Sequence, residues 1–254
     1  MAPDITSPAN ERIKWLVRLR ERKHRDREGV FVVEGPRLYR RALAAGMSPT
    51  VTFVTETWDE AVGEVVTVAS DVLDRASYRH ASEGVIAVFP LFATGLSLPA
   101  LSSRPLVLVA EDIEKPGNLG AMMRTASAAG VDAIIAVGGA VDPFNPNAVR
   151  ASTGALFSVP IAMTSWDELG PWLSEHGIAV LALDPKATTT VWETDLSGSV
   201  AIVIGAEATG LSERATHLAQ RRLSIPQADD GVDSLTASVA AAVVLFEAVR
   251  QRSI

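Results

Sequence analysis

Short apolar runs separated by helical stretches dominate the second half of the chain. Residues 106–110 (LVLVA) and 200–204 (VAIVI) are continuous apolar runs of strand length, and residues 133–137 and 178–183 predict two more strands. A helix is predicted at 166–175, between those two strands. Apolar strands alternating with helices are typical of a parallel sheet covered on both faces. We therefore predict a parallel α/β domain.

The first part of the chain predicts a smaller α/β layer. Strands are predicted at 30–33, 51–55, 65–69 and 85–89, and helices at 10–27 and 36–45. Residues 91–104 show no sustained period and contain glycine, proline and serine, which is typical of a linker. We predict an amino-terminal domain over residues 1–96, a linker at 97–104 and a carboxy-terminal domain over 105–254.

Two loops near the carboxy terminus are candidates for a ligand site. The first, 205–211 (GAEATGL), follows a predicted buried strand, and the second, 225–235 (IPQADDGVDSL), leads into a helix predicted at 236–250. Open α/β sheets place ligands at the ends of their strands. The final helix is apolar on nearly every face, which predicts a position inside a domain or in an interface.

The amino-acid composition limits the kinds of chemistry expected of the chain. The chain has no cysteine, and its four histidines show no ligand spacing, so we expect no disulfide and no bound metal. The first residues lack the pattern of a signal peptide, and no run of about eighteen apolar residues occurs. We expect a soluble cytoplasmic protein without a membrane partner.

The charge is unevenly distributed. The formal net charge is −7, yet 11 of the 23 basic residues lie between residues 11 and 41, beside five acidic residues. This cluster indicates either a solvated charged helix or a contact with a polyphosphate backbone. If the second interpretation holds, the candidate contacts are Arg20, Arg22, Lys23, Arg25, Arg27 and Arg37.

Familiar nucleotide signatures are absent from the sequence. It contains no G-x-x-x-x-G-K-[ST] phosphate loop and no G-x-G-x-x-G fingerprint after a strand. The loop predicted after residue 110 has glycine only at Gly117 and Gly120, followed by a helix predicted to end at Gly130. Asn118 and Arg124 are the polar residues at this helix start.

Several stretches together resemble one family. They are 118–124 (NLGAMMR), 150–157 (RASTGALF), 205–211 (GAEATGL), and Ile225–Pro226 followed by Ser234–Leu235. In this order they resemble the motifs of the SpoU (TrmH-like) ribose methyltransferases of the SPOUT superfamily. Residues 7–10 (SPAN) and 31–35 (FVVEG) resemble the amino-terminal substrate-binding domain of that family, which is similar to a ribosomal RNA-binding protein fold.

The resemblance implies a particular fold and cofactor. It implies a parallel α/β domain whose carboxy-terminal part forms a trefoil knot, a rare exception among protein chains. S-adenosyl-L-methionine is expected to be held in that knot, and two subunits are expected to pair through their knotted domains. The implied cofactor-binding residues are Gly205, Ala206, Glu207, Gly210, Ile225, Ser234, Leu235 and Thr236.

The resemblance also implies the catalytic residues. Arg124 is expected at the centre, positioned by Asn118, while Glu207 and Ser234 contact the donor or the substrate. We interpret Arg124 as a group that holds phosphate and polarises the hydroxyl, because a guanidinium stays protonated and is a poor general base. Arg150 is expected to reach RNA phosphate.

Each role has a structural alternative. A surface ion pair would explain Arg124, and a salt bridge would explain Arg150. Helix caps would explain Asn118 and Ser234, and a solvated loop position would explain Glu207.

One position departs from the family pattern. Family members typically have Ser–Leu–Asn–Val–Ser at the third motif, where this chain has residues 234–238 (SLTAS). Thr236 lacks the two amide donors of asparagine.

The function implied by the resemblance is methylation of a ribose 2′-hydroxyl, in ribosomal RNA rather than transfer RNA. Transfer RNA remains an alternative substrate. The sequence is also compatible with a catalytically inactive RNA-binding protein of the same fold, and with a nucleotide-binding α/β enzyme unrelated to RNA.

Overall fold

The computed structural model describes residues 3–56, 58–138, 142–228 and 235–253. The helices are α1 (Glu11–Arg18), α2 (Arg22–Glu28), α3 (Pro36–Ala44), α4 (Ser70–Ala76), α5 (Pro116–Ala129), α6 (Pro146–Ala151), α7 (Trp166–Glu175), α8 (Glu213–Leu218) and α9 (Ala237–Arg252). The strands are β1 (Val30–Glu34), β2 (Val51–Val54), β3 (Glu64–Thr67), β4 (Val85–Pro90), β5 (Leu106–Glu111), β6 (Ala133–Val137), β7 (Ile161–Thr164), β8 (Ala179–Leu183), β9 (Val200–Ile204) and β10 (Arg221–Leu223).

Contacts divide the chain into two compact units. Unit 1 consists of Met1–Phe92 and Asp142–Phe157, and unit 2 consists of Ala93–Val141 and Ser158–Ile254. The domain boundaries predicted from the sequence stay a prediction. Contacts group the segment 142–157 with unit 1, although it lies within the predicted carboxy-terminal domain.

The sheet of unit 1 has the strand order β1-β4-β2-β3. β4 is antiparallel to β1 and β2, whereas β3 is parallel to β2. Asn10 caps α1 because its side chain accepts the Arg12 N–H at 2.9 Å. The buried face of α1, with Ile13 and Leu16, joins a core that contains Phe53.

The sheet of unit 2 has the order β10-β8-β9-β5-β6-β7, and all its pairs are parallel. Every residue of β5, β6 and β9 is buried, as expected for central strands covered on both faces. This confirms the predicted parallel α/β architecture.

The strand order of unit 2 reverses next to β5. The chain runs from β5 outward through β6 to β7, and then crosses to β8 on the other side before β9 fills the position beside β5. Ligands in open α/β sheets bind at such switch points, beyond the carboxyl ends of the strands. The loops after β5 and β9 meet this condition.

The final helix is only partly covered. α9 packs against α5 and buries Ala241, Val244 and Leu245. In contrast, Val239 is 46% exposed and Phe246 is 50% exposed. The predicted apolar helix is therefore present, but the side with Val239 and Phe246 is exposed to solvent when one chain is considered alone.

Several elements differ from those predicted. The region 10–27 forms two helices, α1 and α2, rather than one. α5 begins at Pro116, so the stretch expected to be a loop up to Gly120 is already helical. α4 forms between the predicted strands 65–69 and 85–89, where no helix was predicted. The elements α6, α8, β7 and β10 were not predicted. These are only three to six residues long, and β10 has two exposed arginines, which hides it from a hydrophobicity pattern.

Candidate functional site

The turn after β9 closes on itself and requires glycine at two places. Ala206 N–H donates to the Gly210 carbonyl at 3.0 Å, and Gly210 N–H donates to the Ala206 carbonyl at 2.8 Å. A Cβ on Gly205 would lie 2.4 Å from the Gly210 carbonyl oxygen. Gly210 has φ +71°, in the region that favours glycine. Close backbone approach therefore explains Gly205, and a positive φ explains Gly210.

A cavity lies between this turn, the ends of β8 and β10, and the start of α9. Its volume is about 130 Å³, and Leu183, Ile204 and Leu223 contribute apolar wall. The predicted cofactor residues in its wall are Gly205, Ala206, Glu207, Gly210, Ile225 and Leu235. Thr236 is the N-cap of α9, adjacent in sequence to the wall residues Leu235 and Ala237. Ser234 lies outside the described residues. The structure thus brings these positions to one place, while their roles stay predictions.

Part of the cavity wall was not predicted from the sequence. Leu183, Asp184 and Pro185, at the carboxyl end of β8, line the cavity, as does Ala240 of α9. A strand ending at residue 183 was predicted, so its carboxyl end was a usable signal in a parallel sheet. Nothing in the composition of residues 183–185 marked them as ligand contacts.

The carboxylate of Glu207, in the segment 205–211, contacts the segment 118–124 and the residue Lys115 just before it. The side-chain amide of Asn118 donates to one Glu207 oxygen, and the Lys115 ammonium lies 2.6 Å from the other. Because it donates to a carboxylate, Lys115 has a raised pKa. Lys115 was not predicted as a site residue. It, rather than Asn118, is the N-cap of α5, which contradicts the alternative that Asn118 caps this helix.

The third motif segment reaches the same group of side chains. Ser238 Oγ donates to Asn118 Oδ1 at 3.4 Å, and Thr236 Oγ1 lies 3.3 Å from Ser238 Oγ. These are long, weak hydrogen bonds. Residues from α5, the turn after β9 and the start of α9 therefore form one polar network beside the cavity.

Arg124 lies apart from this network. It is exposed on α5, six residues after Asn118. Within the described part of the chain it makes no hydrogen bond or ion pair. The surface ion pair that would have explained Arg124 is therefore not observed among these residues. An exposed guanidinium of this kind is a charged, available donor.

The buried side chain of Glu111 is hydrogen-bonded to the residue that follows the turn 205–211. Glu111, the last residue of β5, is 2% exposed. Its two oxygens accept the Trp166 indole N–H of α7, the Ser212 backbone N–H at 3.0 Å and the Ser212 hydroxyl at 2.6 Å. Ser212 is in turn the N-cap of α8 and follows directly after the turn 205–211. Glu111 therefore holds the exit of that turn against β5.

In unit 1, Arg25 does not have the role predicted for it. Its side chain is 1% exposed, and its guanidinium donates to the carbonyls of Leu19 at 2.8 Å and Arg20 at 2.7 Å while pairing with Asp142. A buried guanidinium with these partners does not face RNA in this structure. Arg25 is a structural residue, because a buried charge requires such compensation.

The other basic residues of unit 1 that were predicted to contact RNA differ in their partners within the protein. The Arg20 guanidinium donates to the carbonyls of Arg75, Ala76 and Ser77 at the end of α4. Ion pairs with neighbouring carboxylates engage Arg22 (Asp26), Lys23 (Glu21) and Arg27 (Glu28). Arg37 is exposed, and no ion pair engages it within the described residues. Arg25 and Arg20 thus serve the fold, whereas the ion pairs of Arg22, Lys23 and Arg27 are exposed and weak and leave these side chains on the surface.

Arg150 lies in unit 1, in α6. It donates to Asn147 Oδ1 at 2.6 Å, and its guanidinium carbon is 5.9 Å from the centroid of the Tyr78 ring. Burial, together with the neighbouring Arg79, lowers the pKa of Arg150. No carboxylate pairs with it at salt-bridge distance within the described residues, so the salt-bridge alternative is not observed.

Two kinds of feature are absent from the described residues. They contain no group of three or more His, Cys, Asp or Glu side chains arranged to hold a metal ion. None of their helices is both long enough and apolar enough to cross a membrane.

Comparison with known protein families accounts for this arrangement. The model of the SpoU rRNA Methylase family matches residues 105–246, which is more than half of the chain. The chain belongs to the SpoU rRNA methylase family. A second model, the MRM3-like substrate binding domain, matches residues 10–87. Both halves of the SpoU chain therefore have counterparts in known proteins.

Individual relatives extend over nearly the whole chain. An uncharacterized tRNA/rRNA methyltransferase of Synechocystis is 32% identical, with 98% of this chain and 94% of that protein covered. The 23S rRNA (uridine(2479)-2′-O)-methyltransferase of Streptomyces viridochromogenes is 30% identical, with coverages of 98% and 92%. The crystal structure of the SpoU methyltransferase AviRb from Streptomyces viridochromogenes, in complex with AdoMet, superposes with a TM-score of 0.90 at 29% identity, with coverages of 96% and 98%.

The cavity fits the cofactor of this family by its chemistry. An apolar wall with exposed backbone from a glycine-containing turn suits an adenine ring, and the Glu207 carboxylate in the wall suits a cationic ligand. Its 130 Å³ is smaller than the roughly 300–1,000 Å³ of typical ligand pockets. The part of the site that the described residues enclose is therefore smaller than a typical complete ligand pocket.

Gly205→Ala tests whether the close backbone approach in this turn is needed for cofactor binding. We expect the affinity for S-adenosyl-L-methionine, measured by isothermal titration calorimetry, to fall more than about tenfold, because the added Cβ overlaps the Gly210 backbone. Gly198→Ala is the control, since its Cβ would meet no atom within 4 Å. Wild-type affinity in Gly205→Ala would contradict the prediction.

Thr236→Asn restores the residue that the family usually has. We expect turnover to change less than tenfold, because asparagine also suits the N-cap of α9 and the Thr236 hydroxyl makes only one weak contact. The measurement is methyl transfer under saturating substrate, with Asn118→Ala as the comparison expected to lose far more activity. A gain or loss of tenfold or more in Thr236→Asn would show that Thr236 is not a tolerated substitute.

Proposed function

We propose that this SpoU protein transfers the methyl group of S-adenosyl-L-methionine to a ribose 2′-hydroxyl of ribosomal RNA. One observation carries the proposal. Residues of the segments 118–124, 205–211 and 234–238 come together beside one cavity, at the switch point of the sheet in the region that the family model matches. The relative from Streptomyces viridochromogenes, named as a 23S rRNA 2′-O-methyltransferase, supports ribosomal RNA as the substrate.

The cavity residues bind and orient the donor in this proposal. The backbone of the turn 205–210 and the apolar side chains of Ile204 and Leu223 hold it, and Glu207 adds negative charge at the wall. S-adenosyl-L-methionine supplies, when bound, an electrophilic methyl group on a sulfonium cation. Asn118 and Lys115 keep the Glu207 carboxylate in one orientation by donating to its two oxygens.

Arg124 acts on the substrate in this proposal. Its exposed guanidinium holds a phosphate of the target nucleotide and polarises the 2′-hydroxyl. This role suits a side chain that has five N–H donors and stays charged at neutral pH. The lack of a protein partner within the described residues supports a ligand as its partner.

Methyl transfer to RNA tests the function and the role of Arg124 together. The wild-type protein is expected to transfer radiolabel from S-adenosyl-L-methionine to ribosomal RNA at a 2′-O-methyl, nuclease-resistant linkage. Arg124→Ala should lower the rate about 100-fold or more, as the loss of a donor at the reacting group does in other enzymes. Its affinity for the donor should remain unchanged.

The control is Arg104→Ala, which removes another exposed arginine of unit 2. Label in transfer RNA alone would replace ribosomal RNA with transfer RNA as the substrate. Donor binding without label in any RNA would favour an inactive RNA-binding protein. Equal rates in Arg124→Ala and Arg104→Ala would remove Arg124 from the mechanism.

We further propose that the carboxy-terminal segment forms the trefoil knot of the superfamily and that unit 1 binds the RNA. The knot is supported by the strand order of unit 2 and by the packing of α9 against α5 beside the cavity. An experimental structure in which the carboxy-terminal segment passes through no loop would refute it. RNA binding by unit 1 is supported by its match to the MRM3-like substrate binding domain.

We also propose that two copies pair through α9. Val239, Phe246 and the nearby Trp192 are 46%, 50% and 51% exposed, which is unusual for large apolar side chains on two neighbouring elements. Val239→Glu is expected to convert a dimer into a monomer in light scattering at micromolar concentration, because it places a charge in the interface. Val65→Glu changes an equally exposed valine of β3 and should leave the dimer intact. A monomeric wild type would refute the proposal.

A further inference from the structure

The cavity beside the turn 205–211 has a second carboxylate in its wall, which the proposed mechanism does not use. Asp184 follows directly after β8 and lines the cavity together with Leu183 and Pro185. Its side chain is only 18% exposed. A carboxylate that is largely removed from water requires hydrogen-bond donors in exchange. The partners of Asp184 therefore determine what this side chain can bind.

Two groups of the protein hold the Asp184 carboxylate in one orientation. Its Oδ1 accepts the backbone N–H of Lys186, two residues further along the chain, at 2.9 Å. Its Oδ2 accepts Nη1 of Arg222 in the neighbouring strand β10 at 3.0 Å. Neither Lys186 nor Arg222 lines the cavity, so both donors approach the carboxylate from outside it. The side chain is thus fixed without any donor from the cavity wall.

These two contacts leave the carboxylate with unused acceptor capacity. The two oxygens of a carboxylate together offer about four acceptor positions. Among the described residues, only the Lys186 N–H and the Arg222 guanidinium donate to Asp184. The remaining positions are available to a hydroxyl or an ammonium group of a ligand in the cavity.

The surroundings of Asp184 favour one part of S-adenosyl-L-methionine. Glu207, the other carboxylate of the described wall, is hydrogen-bonded to Asn118 of α5, and in the proposed mechanism the reacting groups meet at that end. Asp184 lies at the end of β8, beside the paired residues Leu183 and Leu223, whose apolar side chains suit the adenine ring. The ribose joins the adenine to the sulfonium. Its hydroxyls are therefore the donors closest to the adenine.

We propose that the Asp184 carboxylate accepts hydrogen bonds from the ribose hydroxyls of the methyl donor. The neighbouring 2′- and 3′-hydroxyls offer two O–H donors to the two oxygens of one carboxylate, and such charge-assisted hydrogen bonds are strong. Doubly wound α/β folds use an acidic residue for ribose hydroxyls in a comparable way. The inference rests on the proposed function, because it names the part of the donor that Asp184 recognises.

The first test changes the ligand and leaves the protein intact. The probes are S-adenosyl-L-homocysteine and its 2′-deoxy and 3′-deoxy analogues, with affinities measured by isothermal titration calorimetry. We expect the wild type to bind at least one deoxy analogue about tenfold more weakly, because a hydrogen bond to a charged acceptor is lost. Equal affinity for all three probes would overturn the proposal, whether or not any variant folds.

The second test removes the charge of the carboxylate. Asp184→Asn should bind S-adenosyl-L-homocysteine about tenfold more weakly than the wild type, and its preference over the deoxy analogue should shrink to less than about threefold. The control is Asp167→Asn, because Asp167 forms an ion pair with Arg214 at 2.8 Å in the same unit but does not line the cavity. Equal losses in the two variants, or an undiminished preference in Asp184→Asn, would refute the contact.

A shorter ligand separates the ribose from the ammonium group. 5′-Methylthioadenosine retains both ribose hydroxyls and lacks the amino-acid part of the donor. We expect Asp184→Asn to weaken its binding by about the same factor as that of S-adenosyl-L-homocysteine. If only S-adenosyl-L-homocysteine is affected, Asp184 binds the ammonium group and the assignment to the ribose is wrong.

Methyl transfer to ribosomal RNA, measured on the wild type, separates this inference from the proposed function. If the wild type transfers methyl groups but binds the deoxy analogues as tightly as S-adenosyl-L-homocysteine, the ribose contact is wrong and the proposed function stands. If the preference for the ribose hydroxyls is present and depends on Asp184, but no methyl group is transferred, the ribose contact stands and the proposed function is wrong.

Discussion

The carboxylate of Glu111 is the point on which the site in unit 2 depends. It is buried, has no ion pair with a cationic side chain among the described residues, and accepts hydrogen bonds from Trp166 and Ser212. Leaving a buried acceptor of this kind unsatisfied costs about 1–3 kcal/mol. The hydrogen bonds of Glu111 therefore tie together three elements: β5, α7 and the start of α8. This constraint fixes the exit of the turn 205–211, and the tight bridge between Ala206 and Gly210 fixes the rest of that turn.

Because the turn 205–211 is held rigidly, the site needs few side chains to bind and position a ligand. The cavity wall is mostly apolar and backbone, and one carboxylate, Glu207, is oriented by Asn118 and Lys115. Lys115 is exposed, so its ion pair with Glu207 contributes orientation more than stability. Group transfer between two bound molecules depends chiefly on positioning, which such a rigid, preorganised wall provides. Neither a metal nor a covalent nucleophile is needed for this kind of transfer.

Unit 1 illustrates how charge in a sequence differs from charge on a surface. Arg25 and Arg20 belong to the same basic stretch as Arg22 and Arg27, yet the first two hold the fold together by donating to carbonyl groups. Arg150 lies outside that stretch, but α6 packs on β1 and brings Arg150 next to Tyr78. The electrostatic character of the unit therefore follows from what each guanidinium group contacts in the fold, which its position in the sequence does not show.

The parallel α/β class, most of the strands and long helices, and the family were predictable from the sequence. Continuous apolar runs such as 106–110 and 200–204 are typical of central strands in a covered sheet, and the glycines at 205 and 210 mark a tight turn. These are local properties, and local patterns report them. Four features became evident only in the folded chain: Lys115 contacts Glu207, Glu111 is buried, residues 183–185 line the cavity and Arg25 is buried. Each of these depends on contacts between residues distant in sequence, which hydrophobic periodicity and charge counts do not encode.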